Sequence, residues 1–366
     1  MQQSVVLLHD WLTGFRGGER VLESFCDLYP QAPLYTLLHS PGTTSQKIEN
    51  RPITTSFLNR VPGASKHYRK YLPLFPAAAA SLKIAENCKV VLSSSHCVIK
   101  GVIKPKGSVH ISYIHSPMRY LYDQFDSYFG SHAPLYQQFG ARAFRNYLTK
   151  WDIQSNDNVD FMIANSSFVQ ERIKRIYKRD SVVIHPFVDL KDIQDVRSSQ
   201  TGKEEFYLMV TAFAPNKRVD IAIEAFNDLK TPLKIIGSGQ QEAELKRMAK
   251  ANIQFLGNLS RADVINHMQK ARAFIFPGIE DFGITPLESL ACGTPVIAYK
   301  AGGVLETLTE DTGIFFKEPN PQSLKDAIKR FEQITFHSEN LHQQAQKFSK
   351  EQFTTKISSF ITSVSS

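Results

Sequence analysis

The sequence predicts an α/β protein built as two units, each around a parallel sheet. Ten short apolar runs rich in Val, Ile and Phe recur along the chain without alternating with polar residues. Helical periodicity appears between them. The length, 366 residues, exceeds what one hydrophobic core usually serves. Apolar runs of four to six residues that do not alternate mark strands covered on both faces, as crossover helices cover a parallel sheet.

In the first half the runs are Ser4–His9, Lys89–Ser93, His110–Ile114 and Phe161–Ala164, followed by Ser181–Ile184. A helix over Glu19–Leu28 follows the first run. Another over Ser167–Tyr177 turns Phe168, Ile173 and Ile176 to one side. The second half repeats the pattern with strands Phe206–Thr211, Leu233–Ile236, Ile253–Leu256, Ala273–Phe276 and Pro295–Ala298, and with helices Val219–Leu229 and Glu242–Ala249. A βαβ series in each half gives two open sheets. Proline interrupts the pattern in His185-Pro186-Phe187-Val188-Asp189, and the polar stretch Lys191–Lys203 follows. The expected domains are residues 1–187 and 188–345, with 346–366 returning to the first.

Hydrophobic residues make up 42% and charged residues 21%, enough to bury two cores and to exclude disorder. The formal net charge of +8 suits an anionic partner, whether nucleic acid, a membrane surface or a phosphorylated substrate. Cys26, Cys88, Cys97 and Cys292 have no metal-ligand spacing and form no CxxC pair. A disulfide framework and a metal site are therefore not expected, and a reducing cytoplasm fits. MQQSVVLLHD has no basic start and no small-residue cleavage site, so no secretory signal is expected. No apolar run reaches the roughly 18 residues of a membrane span.

The most informative segment is Phe276-Pro277-Gly278-Ile279-Glu280-Asp281-Phe282-Gly283-Ile284-Thr285-Pro286-Leu287-Glu288. A strand ends near Phe276, and a helix is expected from about Thr285 as N-cap with Pro286 at its first position. Unpaired amides at a helix start seat a phosphate, and Gly283 lets a ligand approach the backbone. Glu288 admits two readings, a capping box with Thr285 or a ligand contact. Glu280, in the loop, has no such local structural task; the residues alone leave it either a solvated loop charge or a ligand contact.

These residues carry a resemblance. Glu280 and Glu288 form the E-x7-E pattern of retaining glycosyltransferases with the GT-B architecture, and EDFGITPLE resembles glycosyltransferase family 4. Ala291-Cys292-Gly293-Thr294-Pro295-Val296-Ile297-Ala298, Ala301-Gly302-Gly303 with Glu306, Asn165-Ser166-Ser167-Phe168 and the His185–Asp189 segment are similar to family segments in the same order. The likeness runs from about Val5 to Phe353. It implies two Rossmann-like domains whose parallel sheets face across a cleft.

The resemblance implies roles residue by residue. Glu280 would bind donor sugar hydroxyls, the amides at Phe282, Gly283 and Ile284 with Thr285 would face sugar and diphosphate, and Glu288 would hold the ribose diol. An ionised carboxylate, acceptor-only, suits a diol. Lys217, in Pro215-Asn216-Lys217-Arg218-Val219-Asp220, matches the family's phosphate-binding lysine. Ala212 stands where the family carries an arginine, and Arg218 is the neighbouring cation that can supply the second charge. Gly237 and Gly239 resemble the turn bordering the nucleotide, although many βα turns need glycine for steric reasons alone. Gly17 and Gly18 resemble the family's glycine pair near the diphosphate. His115 ends a strand, where open α/β folds place ligands, and matches the histidine near the reacting sugar; His9-Asp10 is a second candidate.

The implied chemistry is retaining hexosyl transfer without a divalent metal, with preorganised positive charge meeting the leaving diphosphate and no further cofactor. VVLLHDWLTGFRGGER and YIHSPMRY look like bacterial members that build surface polysaccharide or lipid-linked glycans. A GDP-mannose donor is the first expectation and UDP-sugars the second. Residues 55–75 mix Arg60, Lys66, Arg69 and Lys70 with Phe57, Tyr68, Tyr71 and Leu72. They read either as an ordinary basic surface or as a dock on the inner face of an anionic plasma membrane. A nucleotide-sugar epimerase of the same fold and a non-catalytic nucleic-acid-binding protein are the competing functions. The dispersed basic residues speak against the latter, and no nucleic acid partner is expected.

Overall fold

The computed structural model describes residues 4–119, 121–122, 125, 135–195 and 202–365. Tyr120 of the YIHSPMRY segment, residues 196–201 of the polar stretch and the side chain of Arg69 lie outside what is described. The chain divides into two compact units. The first comprises residues up to His185 together with those from Phe353 onward, and the second is Pro186–Gln352.

In the first unit seven parallel strands pair in the order β3-β2-β1-β4-β5-β6-β7. They are β1 (Val5–Leu12), β2 (Leu34–His39), β3 (Ile53–Thr55), β4 (Val90–Ser95), β5 (Val109–Ile114), β6 (Phe161–Ala164) and β7 (Val182–Val183). All eight residues of β1 are buried, as its unbroken apolar run demands of a central strand. The strand order reverses between β1 and β4, which makes their carboxyl ends a topological switch point, the place where open α/β sheets bind ligands.

The second unit has six parallel strands in the order β10-β9-β8-β11-β12-β13. These are β8 (Tyr207–Val210), β9 (Leu233–Ile236), β10 (Ile253–Gly257), β11 (Ala273–Phe276), β12 (Val296–Tyr299) and β13 (Gly313–Phe316). Its switch point lies between β8 and β11. The helix Val219–Leu229 turns Ile223 and Phe226 into the core on one sheet face. The helix Ile284–Ala291 buries Leu287 and Leu290 in a second core.

Every expected strand forms, and β2, β3 and β13 join them. The helix Ser167–Tyr177 forms over its expected span, but it buries Val169, Arg172, Ile173 and Tyr177, with Phe168 and Ile176 at the flanks. Residues 346–352 stay with the second unit and the return begins at Phe353. The Val188 amide donates to Phe348 O at 2.9 Å, and Phe348 packs on Phe282 with ring centroids 5.8 Å apart. Phe353 belongs to the first unit because its ring stacks on Phe25 and meets Tyr113 edge-on, at 6.1 and 5.8 Å.

Candidate active site

Two loops meet at the switch point of the second unit. After β8, a single 3-10 turn over Pro215–Lys217 leads into the helix Val219–Leu229. After β11, the chain runs through Pro277 and Gly278 to Glu280. Gly278 permits the contact: a Cβ there would lie 2.6 Å from Asn216 O and 2.8 Å from Lys217 Cα. With the backbones this close, Lys217 Nζ pairs directly with Glu280 Oε1. Both side chains are about four-fifths buried, and they line a small pocket with Thr211, Phe276, Pro277 and Gly278.

Glu280 is held from behind. The Gly303 amide donates to Glu280 O at 2.9 Å. Gly302, at φ +80°, leaves room where a Cβ would come within 2.6 Å of that same oxygen. The Ala301-Gly302-Gly303 segment thus fixes the loop that carries the carboxylate.

Arg218 adopts φ +50° as the residue before its helix, a left-handed conformation that costs a non-glycine residue energy. Its guanidinium grips Asp220 through Nε and Nη2 at 3.0–3.1 Å. Ala212 is exposed.

The helix expected to start at Thr285 starts at Ile284, with Gly283 (φ +85°) as N-cap and no side-chain capping bond. Thr285 is its second residue and Pro286 its third. The capping-box reading of Glu288 therefore fails. Glu288 Oε1 instead accepts a hydrogen bond from Arg261 Nη1 at 2.8 Å. Arg261 opens the helix Arg261–Lys270, which Ser260 caps by accepting from the Asp263 amide at 3.2 Å. Amides at the start of Ile284–Ala291 have no intrahelical acceptor, so they stay available to an anion. The Phe282 side chain is part of the core.

Gly237 and Gly239 pack on the loop after β8. Cβ atoms there would lie 1.8 Å from Thr211 O and 2.6 Å from Phe213 O, and Phe213 N donates to Ser238 O at 2.9 Å. Steric contact alone accounts for both glycines.

The first unit holds a separate cluster at its own switch point. His9 on β1 and Ser94 on β4 are register partners, and Ser94 Oγ lies 3.1 Å from His9 Nδ1 and 2.8 Å from His115 Nε2. Asp10 accepts the backbone N–H groups of His96, Cys97, Val98 and Ile99 at 2.7–2.9 Å, which fixes the turn after β4. The helix Gly17–Leu28 begins beside these rings. A Cβ on Gly18 would stand 3.6 Å from His9 Cε1 and 3.8 Å from His115 Nε2. Gly17 opens the helix, and the Arg16 amide donates to Glu19 Oε2 at 2.9 Å.

Burial and the nearby His96 and His9 push the His115 pKa well below its usual value. Burial would raise that of Glu19, but the pull of the nearby His9 ring outweighs it and brings the carboxyl down to about 2. Sequence reading missed Ser94, Glu19 and Arg261, whose partners are remote in sequence or on other elements. The serine run Ser93-Ser94-Ser95 inside a buried strand was the available sign of the first. Among the described residues, no group of three or more His, Cys, Asp or Glu side chains gathers to hold a metal ion. None of the described helices is long and apolar enough to cross a membrane.

The family model described as glycosyl transferases group 1 matches residues 191–348. An uncharacterized glycosyltransferase of Methanocaldococcus jannaschii is 30% identical over 177 residues, 47% of this chain and 49% of that protein. A GDP-mannose-dependent monoacylated phosphatidylinositol monomannoside mannosyltransferase of Corynebacterium glutamicum is 35% identical over 130 residues, 31% of this chain and 34% of that one. The chain thus spans about half the length, or less, of these curated relatives. Among solved structures, sucrose-phosphate synthase from Thermosynechococcus elongatus superposes with a TM-score of 0.73 at 16% identity, covering 99% of both chains. Anabaena HepE, solved with UDP and glucose, gives 0.72 at 17%, covering 99% of this chain and 100% of that one. The resemblance to family 4 glycosyltransferases holds, and the fold is GT-B.

Proposed function

We propose that this chain, whose second unit is of the glycosyl transferases group 1 kind, moves a hexose from a nucleoside diphosphate donor to a glycan or lipid-linked hydroxyl, with retention at the sugar. The Lys217–Glu280 pair carries the reading. A cation and a carboxylate in contact at a switch point match adjoining phosphate and sugar hydroxyls, and the helix starting at Ile284 adds backbone donors for the anion.

In this reaction the bond from the anomeric carbon to the phosphate oxygen breaks while the acceptor oxygen bonds to that carbon on the same face. The acceptor proton passes to the departing phosphate. Negative charge grows on the diphosphate, and Lys217, Arg218 and the first-turn amides stabilise it. Glu280 orients the sugar, Glu288 holds the ribose diol, and Phe282 to Thr285 contribute backbone. Gly237 and Gly239 hold the turn after β9 against the loop after β8, beside the nucleotide, and Gly17 and Gly18 lie by the diphosphate and acceptor. His115 receives a hydrogen bond from a substrate hydroxyl.

Mannose on a guanosine nucleotide is the first choice, supported by the description of the C. glutamicum relative; UDP-sugars come second. Residues 55–75 supply peripheral contact with anionic lipid at the cytoplasmic face of the plasma membrane. A thermal-shift panel of GDP- and UDP-sugars, followed by turnover with the stabilising donor, tests the proposal. One base class should raise Tm, and the rise should shrink in Lys217→Ala. Equal or absent shifts across the panel would overturn it.

A further inference from the structure

The cluster of the first unit contains a line of polar groups running inward from His115, and its order restricts where protons can sit. Ser94 Oγ stands between two ring nitrogens, His115 Nε2 at 2.8 Å and His9 Nδ1 at 3.1 Å. A hydroxyl has one proton, so it donates to one ring and accepts from the other. The two imidazoles therefore cannot choose their tautomers independently.

The choice is made at the inner end. His9 is fully buried, and its Nε2 has no hydrogen-bond partner among the described residues. Glu19 Oε1 lies 3.8 Å from that nitrogen. Glu19 cannot turn away, because its other oxygen accepts the Arg16 amide at 2.9 Å. Its carboxyl, brought down to about 2, is ionised at neutral pH. A bare lone pair on His9 Nε2 would face this negative charge in a poorly solvated place, whereas a proton there is attracted to it.

With His9 neutral, the rest follows from that proton by counting donors. His9 Nδ1 becomes an acceptor, so Ser94 donates to it. Ser94 then accepts from His115 Nε2–H, which leaves His115 Nδ1 with its lone pair. Among the described residues no hydrogen bond reaches that atom.

We infer that Glu19, acting through His9 and Ser94, holds His115 as the Nε2–H tautomer, so that Nδ1 presents an acceptor to a substrate hydroxyl. Glu19 and Ser94 are positioning residues in this scheme. The substrate hydroxyl rests on the glycosyl transfer proposed above; the tautomer does not. Gly18 belongs to the same arrangement, since its bare backbone lets the helix start lie against both rings.

Glu19→Gln is a sharp test because the amide can sit only one way round. The Arg16 N–H needs an acceptor, so the Gln oxygen takes that place and its NH2 faces His9 Nε2. Every donor in the line then reverses, and His115 should carry its proton on Nδ1. Side-chain 15N–1H correlation spectra at neutral pH distinguish the two nitrogens directly, in the full chain and without any substrate. The wild type should show Nε2–H at His115, Glu19→Gln should show Nδ1–H, and Ser94→Ala in the Glu19→Gln background should abolish the inversion. Turnover of Glu19→Gln should fall about tenfold, as for one misdirected hydrogen bond.

Nδ1–H in the wild type, no inversion in Glu19→Gln, or inversion that persists without Ser94 would each overturn the inference. The wild-type spectrum alone can do so if the variant fails to fold. Should the tautomers behave as stated while no nucleotide sugar is turned over, the transfer reading fails and the relay stands.

Discussion

Lys217 and Glu280, 63 residues apart in sequence, form an ion pair where the loops after β8 and β11 meet. The two charges that family likeness assigns to phosphate and to sugar are thus already neighbours. Gly278 makes this possible by letting one backbone rest on the other.

Lys217→Ala should lower kcat about 10²–10³-fold, the range for removing one preorganised donor from a developing negative charge. The lysine lies outside the hydrophobic core, so the variant should stay folded, with a melting temperature lowered by the loss of the partner of Glu280. Initial rates at saturating donor and a melting curve on the same sample check both halves.

Glu280→Gln should weaken the nucleotide sugar about tenfold to a hundredfold through lost charge-assisted hydrogen bonds. Affinity for the bare nucleoside diphosphate should hold or improve, since Lys217 is freed from its partner. Calorimetric titration with both ligands separates these effects; equal losses would remove Glu280 from the sugar.

Arg261→Gln should act on the ribose. Its guanidinium holds Glu288 Oε1 at 2.8 Å, and a loosened carboxylate grips a diol less well. Affinity for the nucleoside diphosphate should fall about tenfold, and preference for it over its 2′-deoxy form should shrink.

Glu19 should make stability depend on acid. Its folded pKa, about 2, lies below the usual carboxylate range, so its contribution is complete above the unfolded value and is lost as pH falls through the folded one. A depression of this size in a buried group corresponds to about 3 kcal/mol. The stability gap between wild type and Glu19→Gln in urea titrations should narrow steadily from about pH 5 toward pH 2.

Membrane contact should depend on Phe57 and Leu74, exposed by 42% and 46%, with Arg60, Lys66 and Lys70 also exposed in the same segment. Tyr68 is not available for this, since it is buried against Trp11 at 4.7 Å between ring centroids. Sedimentation with anionic vesicles should exceed that with neutral ones, and serine at both apolar positions should reduce it several-fold. Equal binding to both vesicle types would discard the idea.

The sheets were legible because central parallel strands write themselves as unbroken apolar runs, as VVLLHDWL does in β1. β13 was harder to see. It opens with Gly313, which reads as a turn residue but is required because a Cβ there would come 2.2 Å from Val296 O. β3 is a three-residue edge strand without a fully buried residue. The helix start at Ile284 was misread because Thr285, Pro286 and Glu288 imitate a capping box, while the real partner of Glu288 comes from another helix. The same blindness hid Ser94, since adjacency between β1 and β4 is a matter of strand order and register.

The return of the chain to the first unit at Phe353 has a consequence for synthesis. Phe353, Ile357 and Ile361 are buried, and Phe353 closes over Phe25 and Tyr113 in a unit whose sheet is translated first. The ribosome delivers these residues only after all of Pro186–Gln352 has emerged. The N-terminal sheet, though made first, is therefore covered last, and its uncovered apolar surface must wait in the growing polypeptide while the later unit folds.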